Sequence, residues 1–401
     1  MQMSSVDPVR LPVPGTIPSQ VQRLVVHQID ISHPVPGGID GVIRGILRFG
    51  PVDEVTAVAG VIARAGPGRA VGRWECYDLD GRTVWFLPVA ELDASNQRRV
   101  LPHSIRLVAG LARHRRSLPR AESLHVHRAD TAWSAHTLLR HVPMTYFVHT
   151  QENGLTSGAT DSFWRRAPRV HAAMERSAVR ASRDVVVFNP EYAERLGATE
   201  PNVVFSPNWY EPDLVRWTNE PDDPDRVVWV GRLEPPKDPL LAVDVLEALV
   251  ALDPDRAWRL VVLGSGTLAD QLSQRRAALP EAVRSRVELS GAVSPTEVGR
   301  VLSSSGVFLM TSVPGYEGHP RVLVEALASG LPAVVTTGSD TGDLVAADEN
   351  GYVVSRDPGE LARAVLQASA LSRETARRSV ETLSAPVIVQ RILRGSGVDV
   401  T

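Results

Sequence analysis

The chain of 401 residues contains one cysteine, Cys76, and one lysine, Lys237, although lysine and arginine together number 43. A lone cysteine excludes an internal disulfide framework and a cysteine-built zinc centre, and it fits a reducing cytoplasm. No apolar run approaches the roughly 18 residues a membrane-spanning helix needs. Residues 1–20 carry Pro8, Pro12, Pro14 and Pro18 without an apolar stretch, which reads as a loose tail and not as a signal peptide. Neither sign of charge is in large excess. The formal net charge is −3, so no general attraction to nucleic acid is expected. What the chain does have is ordinary globular material, 43% hydrophobic and 22% charged residues, at a length that suggests about two or three domains. An almost lysine-free chain that keeps Lys237 invites a local reason for that one residue.

Residues 21–31 (VQRLVVHQIDI) read as a buried strand, followed by a loop over 32–38 and an amphipathic helix over 39–49. Strand, glycine loop and helix in that order open many nucleotide-binding α/β domains. Asp80-Gly81 is a hairpin turn signal between two short strands. It overlaps the tripeptide Asp78-Leu79-Asp80, whose D-x-D spelling also suits a metal site; the turn already accounts for Asp80. Residues 103–116 form a basic helix with apolar Ile105, Val108 and Leu111, expected to pack on the domain core, with contact to an anionic membrane surface as the alternative. Strands are expected at 124–127 and 144–148, the second running into His149, then a helix over 163–181 and a strand at 185–188. Polar residues just past a parallel strand's carboxyl end face the crevice where open α/β sheets bind ligands.

Residues 209–225 are polar and proline-bearing, a linker between a first domain of residues 1–208 and a second of 209–401, whose last helix is expected to pack back on the first. The second half repeats the alternation. Strands are expected at 227–230, 260–263, 287–289, 307–310 and 333–336. Asp238-Pro239, Ser294-Pro295 and Asp357-Pro358 cap helices, and Gly330 ends one. The fold expected is α/β, two tandem Rossmann-like domains facing a central cleft.

Three features coincide in the second half. Gly231, Arg232 and Lys237 follow its first strand, where a glycine turn and two cations suit a diphosphate. Glu317 precedes a helix start at His319-Pro320, and Glu325 lies in its second turn, giving E-x7-E. Carboxylates there can accept hydrogen bonds from sugar hydroxyls while the helix end favours an anion. Glycine turns at Gly264 and Gly291 let backbone approach a planar base. Taken singly, each has a bland explanation as a solvated charge or an ordinary turn; their order at successive strand ends carries the argument.

With these residues in place the chain resembles glycosyltransferase family 4, retaining enzymes of the GT-B architecture. The resemblance lies in Val230-Gly231-Arg232-Leu233 with Lys237, in the run from Glu317 through Gly318, His319, Pro320 and Glu325 to Pro332, in Gly37-Gly38, in His149 and in Asn208. It implies that Arg232 and Lys237 bind the donor diphosphate, that Glu325 holds the ribose, and that Glu317 contacts the transferred sugar. It further implies that Gly37 and Gly38 close over the diphosphate and that His149 faces the sugar near the reacting carbon. Gly264, Gly291, Val293, Gly318, His319 and Pro320 complete the donor set. His319 departs from the aromatic or apolar residue usual at its place.

The expected reaction is transfer of a sugar from a nucleotide-diphosphate sugar, UDP-linked by expectation, to an acceptor hydroxyl by same-face substitution, with no metal or other cofactor. The acceptor is a carbohydrate, a small molecule or a lipid-linked sugar, with His127, Asp130 and Glu152 as candidate contacts. A nucleotide-sugar epimerase of the same architecture and a non-catalytic nucleotide-sugar-binding partner are the alternatives. A cytoplasmic site of action is expected, with peripheral contact at the inner membrane face through 103–116 as the alternative.

Overall fold

The computed structural model describes residues 8–13, 16–34, 38–63, 68–92, 103–149, 168–340 and 342–394. The chain divides into two compact units. The first comprises Met1–Phe188, Tyr192–Ser206 and Val389–Thr401, and the second Asn189–Glu191 and Pro207–Ile388.

The first unit holds strands β1 (Val9–Leu11), β2 (Gln20–Val26), β3 (Thr56–Ile62), β4 (Glu75–Leu79), β5 (Arg82–Glu91), β6 (Arg120–Val126), β7 (Met144–Val148), β8 (Asp184–Val187) and β9 (Val203–Phe205). They form one sheet in the order β1-β4-β5-β3-β2-β6-β7-β8-β9. β4 pairs antiparallel with β1 and β5; every other neighbouring pair is parallel. Apolar residues alternate between two cores. Leu24, Val26, Ala57 and Ala59 face one, and Val25, Val58 and Ile62 face the other. Strands buried on both faces read as continuous apolar runs, which is why this part of the fold is legible in the sequence.

Two expectations change in detail. The strand expected over 21–31 is β2, which ends at Val26, yet Ile29 and Ile31 remain buried in the following loop, so burial extended the apolar pattern past the hydrogen-bonded ladder. The basic helix His103–His114 buries Leu107 and Leu111 in the core, while Ile105 stays 48% exposed. Its inward face is therefore turned from the one expected. A Cβ at Gly110 would stand 2.0 Å from the Val89 carbonyl oxygen, so this helix lies directly against β5. At the β4–β5 turn Asp80 takes φ 58° and Gly81 φ 80°, and the Gly81 N–H donates to Asp78 Oδ1 at 3.1 Å. Asp78 and Asp80 thus serve the hairpin. The expected helix over 163–181 is described from Pro168 to Ala181.

The second unit holds β10 (Asp223–Val230), β11 (Arg259–Leu263), β12 (Val287–Gly291), β13 (Ser305–Met310), β14 (Ala333–Thr336) and β15 (Gly351–Val354). They form an all-parallel sheet in the order β12-β11-β10-β13-β14-β15. Val227, Trp229, Leu260 and Val262 face one core, and Val228, Val261 and Phe308 the other. β10 begins earlier than expected, at Asp223, whose buried carboxylate pairs with Arg226 at 3.1 Å and Arg259 at 2.7 Å. A strand that starts on a paired charge does not announce itself by apolarity. Trp209, expected in a linker, is 1% exposed. Ser294 and Asp357 cap their helices as expected, accepting from Glu297 N and Glu360 N. Gly330 takes φ 78° just past the helix Arg321–Ala328.

Candidate active site

The order of the second sheet reverses between β10 and β13, and open α/β sheets bind ligands beyond the carboxyl ends of the strands at such a point. The loop after β10 carries Gly231, Arg232 and Lys237. Its middle is pinned by Leu233, whose N–H donates to the Ser265 carbonyl at 2.9 Å and whose carbonyl accepts from Leu268 N at 2.8 Å. It ends in a 3₁₀ turn, Pro235–Lys237, and in Asp238, whose left-handed φ of 45° starts the helix Pro239–Leu252 with its carboxylate accepting from Leu241 N.

The loop after β13 is tied to it. The Thr311 hydroxyl accepts from the Trp229 indole N–H at 2.9 Å and lies 3.0 and 2.7 Å from the carbonyl oxygens of Lys237 and Asp238. Val313 N donates to the Pro236 carbonyl at 2.8 Å. Arg356 donates to the Thr311 carbonyl at 2.6 Å and pairs with Asp238.

These ties bring the expected side chains together. Lys237 Nζ donates to Glu317 Oε1 at 2.7 Å, and Ser312 Oγ donates to the same oxygen at 2.6 Å. Glu317 is 8% exposed. The lysine stem passes close over Gly231, where a Cβ would stand 2.9 Å from Lys237 Cδ. Arg232 is the outer cation. It donates to Glu234 at 2.7 Å and to the Tyr316 hydroxyl at 2.9 Å. The Tyr316 ring lies 5.9 Å from Lys237 Nζ, and burial pushes its phenol above the ordinary value.

The glycines play parts different from the one expected. Gly264, at φ 145°, has its missing Cβ position 1.8 Å from the Gly231 carbonyl oxygen, and its N–H donates to the Gly291 carbonyl at 2.8 Å. The glycines ending β10, β11 and β12 therefore pack on one another, and Gly264 serves backbone against backbone. Only Gly291, at φ 69° with nothing near its Cβ position, leaves open space. Val293 packs against the core cluster beneath.

Glu325 and His319 sit in networks that spacing did not reveal. Arg321 donates to Glu325 Oε1 at 3.0 Å and to Glu211 Oε1 at 2.7 Å. Burial and the Glu211 charge raise the Glu325 carboxyl, and Arg321 opposes them. Arg321, four residues before Glu325, was a readable helical pair; Glu211 was not. The Asn208 N–H donates to His319 Nδ1 at 3.1 Å, and the Asn208 amide donates to the His319 carbonyl at 2.5 Å. With Nδ1 accepting, the proton of the neutral ring is on Nε2. Burial holds this imidazole down to about 4. No side chain caps the helix that Pro320 opens. Gly318 lies between Glu317 and His319 in the loop leading to it.

In the first unit, Gly38 is exposed at the start of the helix Gly38–Phe49, while Gly37 and Glu152 lie outside the described residues. His149 follows β7, and its Nε2 lies 2.9 Å from His127 Nδ1. His127 and Asp130 are each 3% exposed. The Asp130 carboxylate meets Arg128 at 3.2 and 3.1 Å and accepts from Thr131 N at 2.8 Å. Both side chains are thus buried with structural partners. Among the described residues no group of three or more His, Cys, Asp or Glu side chains is arranged to hold a metal ion.

Residues 224–370 match the family model described as Glycosyl transferases group 1. The second unit thus carries a stretch similar to glycosyl transferases group 1. Curated relatives include a GDP-mannose-dependent alpha-mannosyltransferase of Mycobacterium tuberculosis, 32% identical over 184 residues covering 44% of this chain and 43% of the relative. Another is a D-inositol 3-phosphate glycosyltransferase of Corynebacterium glutamicum, 31% identical over 131 residues covering 32% of this chain and 31% of the relative. The chain spans between 31% and 53% of the length of the curated relatives it matches. Over both units the fold is that of sucrose-phosphate synthase from Thermosynechococcus elongatus, with a TM-score of 0.70 at 17% identity over 93% of this chain and 98% of that one. The architecture is GT-B, two Rossmann-like units in tandem. In the second unit the matched stretch contains Arg232, Lys237, Glu317 and Glu325.

Proposed function

We propose that the protein transfers a sugar from a nucleotide-diphosphate sugar to an acceptor hydroxyl with retention of anomeric configuration and without a metal. The observation that carries this reading is the Lys237–Glu317 contact of 2.7 Å at the reversal point of the second unit's sheet, with Arg232 beside it. Two cations at that crest suit a leaving diphosphate, and preorganised charge there stabilises the anion as it forms. In the proposed step the acceptor oxygen bonds to the anomeric carbon on the face from which the carbon–phosphate oxygen bond breaks. A donor phosphate oxygen takes the acceptor's proton. Lys237 and Arg232 meet the developing charge, Glu317 orients sugar hydroxyls, Glu325 holds the ribose, His149 faces the sugar, and Gly37 and Gly38 cover the diphosphate.

UDP-sugars are the first donors to try. GDP-mannose is the second reading, favoured by the mannosyltransferase relative. A phosphorylated polyol among small-molecule acceptors is favoured by the inositol phosphate relative. The test is a thermal-shift panel of UDP- and GDP-sugars, since a ligand at a hundred times its dissociation constant adds about 2.7 kcal/mol of stability. Transfer is then followed in EDTA, with the product's anomeric configuration read by NMR. Inverted product, or activity abolished by EDTA, overturns the reading. Sugar isomerisation without acceptor would mark an epimerase, and binding without turnover a non-catalytic partner.

A further inference from the structure

Three adjacent strands of the first sheet, β2, β6 and β7, are each followed at once by a histidine: His27, His127 and His149. β2 and β6 are the pair between which that sheet's order reverses, so the histidines crown its crevice point. His127 is held on two sides. Its ring stacks on Phe147 at 4.5 Å and 8°, and His27 meets it edge-on at 5.8 Å and 71°. His149 stacks on Phe188 at 5.0 Å. Between these fixed rings runs the contact of His127 Nδ1 with His149 Nε2 at 2.9 Å.

A hydrogen bond between two neutral imidazoles needs one N–H and one lone pair. Burial pushes His149 down to about 3 and holds His127 well below its ordinary value, which favours two neutral rings. The tautomers are therefore linked. If His127 Nδ1 donates, His149 carries its own proton on Nδ1. If His149 Nε2 donates, His149 Nδ1 is left with a lone pair. Nε2 is engaged by His127; Nδ1 is the ring nitrogen of His149 that has no partner among the described residues, and its character depends on His127.

We infer that His127 is a positioning residue whose Nδ1 fixes the ring orientation and tautomer of His149, and thereby decides whether His149 Nδ1 meets the transferred sugar as donor or acceptor. This rests on the proposed role of His149 facing the sugar. Fixing a ring through its second nitrogen is how outer partners tune metal-bound histidines, where losing such a partner costs roughly ten- to a hundredfold in affinity or activity, and the same scale is taken for His149.

The test uses three substitutions of the full chain. His127→Asn keeps an amide where Nδ1 stood, His127→Gln moves it toward the Nε2 place, and His127→Phe keeps the stack on Phe147 but has no polar atom. Two-bond ¹H–¹⁵N spectra of histidine-labelled protein, with His149 assigned by its loss in His149→Ala, read the tautomer directly. The expected result is one neutral tautomer of His149 in the parent chain and His127→Asn, and a mixture in His127→Phe and His127→Gln. Turnover should fall roughly ten- to a hundredfold in the Phe and Gln variants and recover in His127→Asn, with donor KM unchanged. An unaltered His149 tautomer in His127→Phe overturns the inference, as does equal loss of turnover in the Asn and Phe variants. Full turnover by His149→Ala would instead remove the proposed sugar contact while leaving the tautomer linkage standing.

Discussion

Lys237 and Glu317 hold each other, Nζ to Oε1 at 2.7 Å, from loops on either side of the point where the second sheet reverses its order. The cation expected to meet a diphosphate is thus engaged by a carboxylate, and a diphosphate would have to draw it away. Ser312 bonds the same Glu317 oxygen, so the carboxylate keeps a donor when the lysine turns.

Lys237→Arg should fold normally and lose most transfer activity. The stem runs against Gly231, and Arg232 already holds the neighbouring Tyr316 hydroxyl, leaving space for a compact ammonium and not for a second planar fork. Loss of one well-placed charged donor to a developing anion costs about 2.7–4 kcal/mol, a hundred- to thousandfold in rate. Steady-state turnover against thermal melting checks this; near-normal turnover would show that charge alone suffices.

Glu325→Ala should weaken nucleoside diphosphate binding, and Glu317→Ala should chiefly lower turnover. A ribose contact acts in ground and transition states alike, whereas a group orienting the reacting sugar acts on the chemical step. Calorimetric affinity for the nucleoside diphosphate separates the two, and equal loss of affinity in both variants would sink the assignment.

The buried histidines make stability depend on pH. His27 and His149 are pushed down to about 3, and His125 and His127 lie well below the ordinary value, all chiefly through burial. The unfolded chain takes up protons below about pH 6.5 that the folded rings refuse, so stability is complete above that pH and is lost progressively toward pH 3. Each ring that stays neutral while its unfolded counterpart is protonated contributes at most about 1.4 kcal/mol per pH unit in that window. Glu325, with its carboxyl raised, opposes this slightly. Urea unfolding at pH 7, 6 and 5 should show stability falling by several kcal/mol, and His125→Phe should flatten the slope. Equal stability at pH 7 and 5 would mean that the rings are not held neutral.

Gly264→Ala should destabilise the second unit by about 1–3 kcal/mol or more, since its Cβ would meet backbone and no rotamer change relieves it. Gly291→Ala, with open space at its Cβ position, should cost only the strain of its positive φ. Comparable melting temperatures for the two variants would count against the packed-glycine account.

β7 and β14 were legible to the residue because strands covered on both faces are apolar throughout. The placement of Arg232 and Lys237 past a strand end, and of Glu317 and Glu325 about a helix start, was legible from the strand and cap signals. What escaped was long-range pairing. Nothing near Glu211 in the sequence points to Arg321, and nothing in the spacing of His127 and His149 distinguishes two solvated rings from two bonded ones. The opening of β10 escaped because Asp223 hides its charge on Arg226 and Arg259, and β9, three residues long, is too short to show a period.

The Trp229 indole is 2% exposed, bonds to the Thr311 hydroxyl, and has its ring edge 3.2 Å from the place of a Gly231 Cβ. That makes it an intrinsic optical gauge of the Lys237 loop. A shift of Thr311 against the Lys237 and Asp238 carbonyls would change the polarity at the indole nitrogen, and so the colour and lifetime of its emission. Donor arrival could then be followed in stopped flow without any attached dye, and Trp229→Phe would identify which of the chain's 8 tryptophans carries the signal.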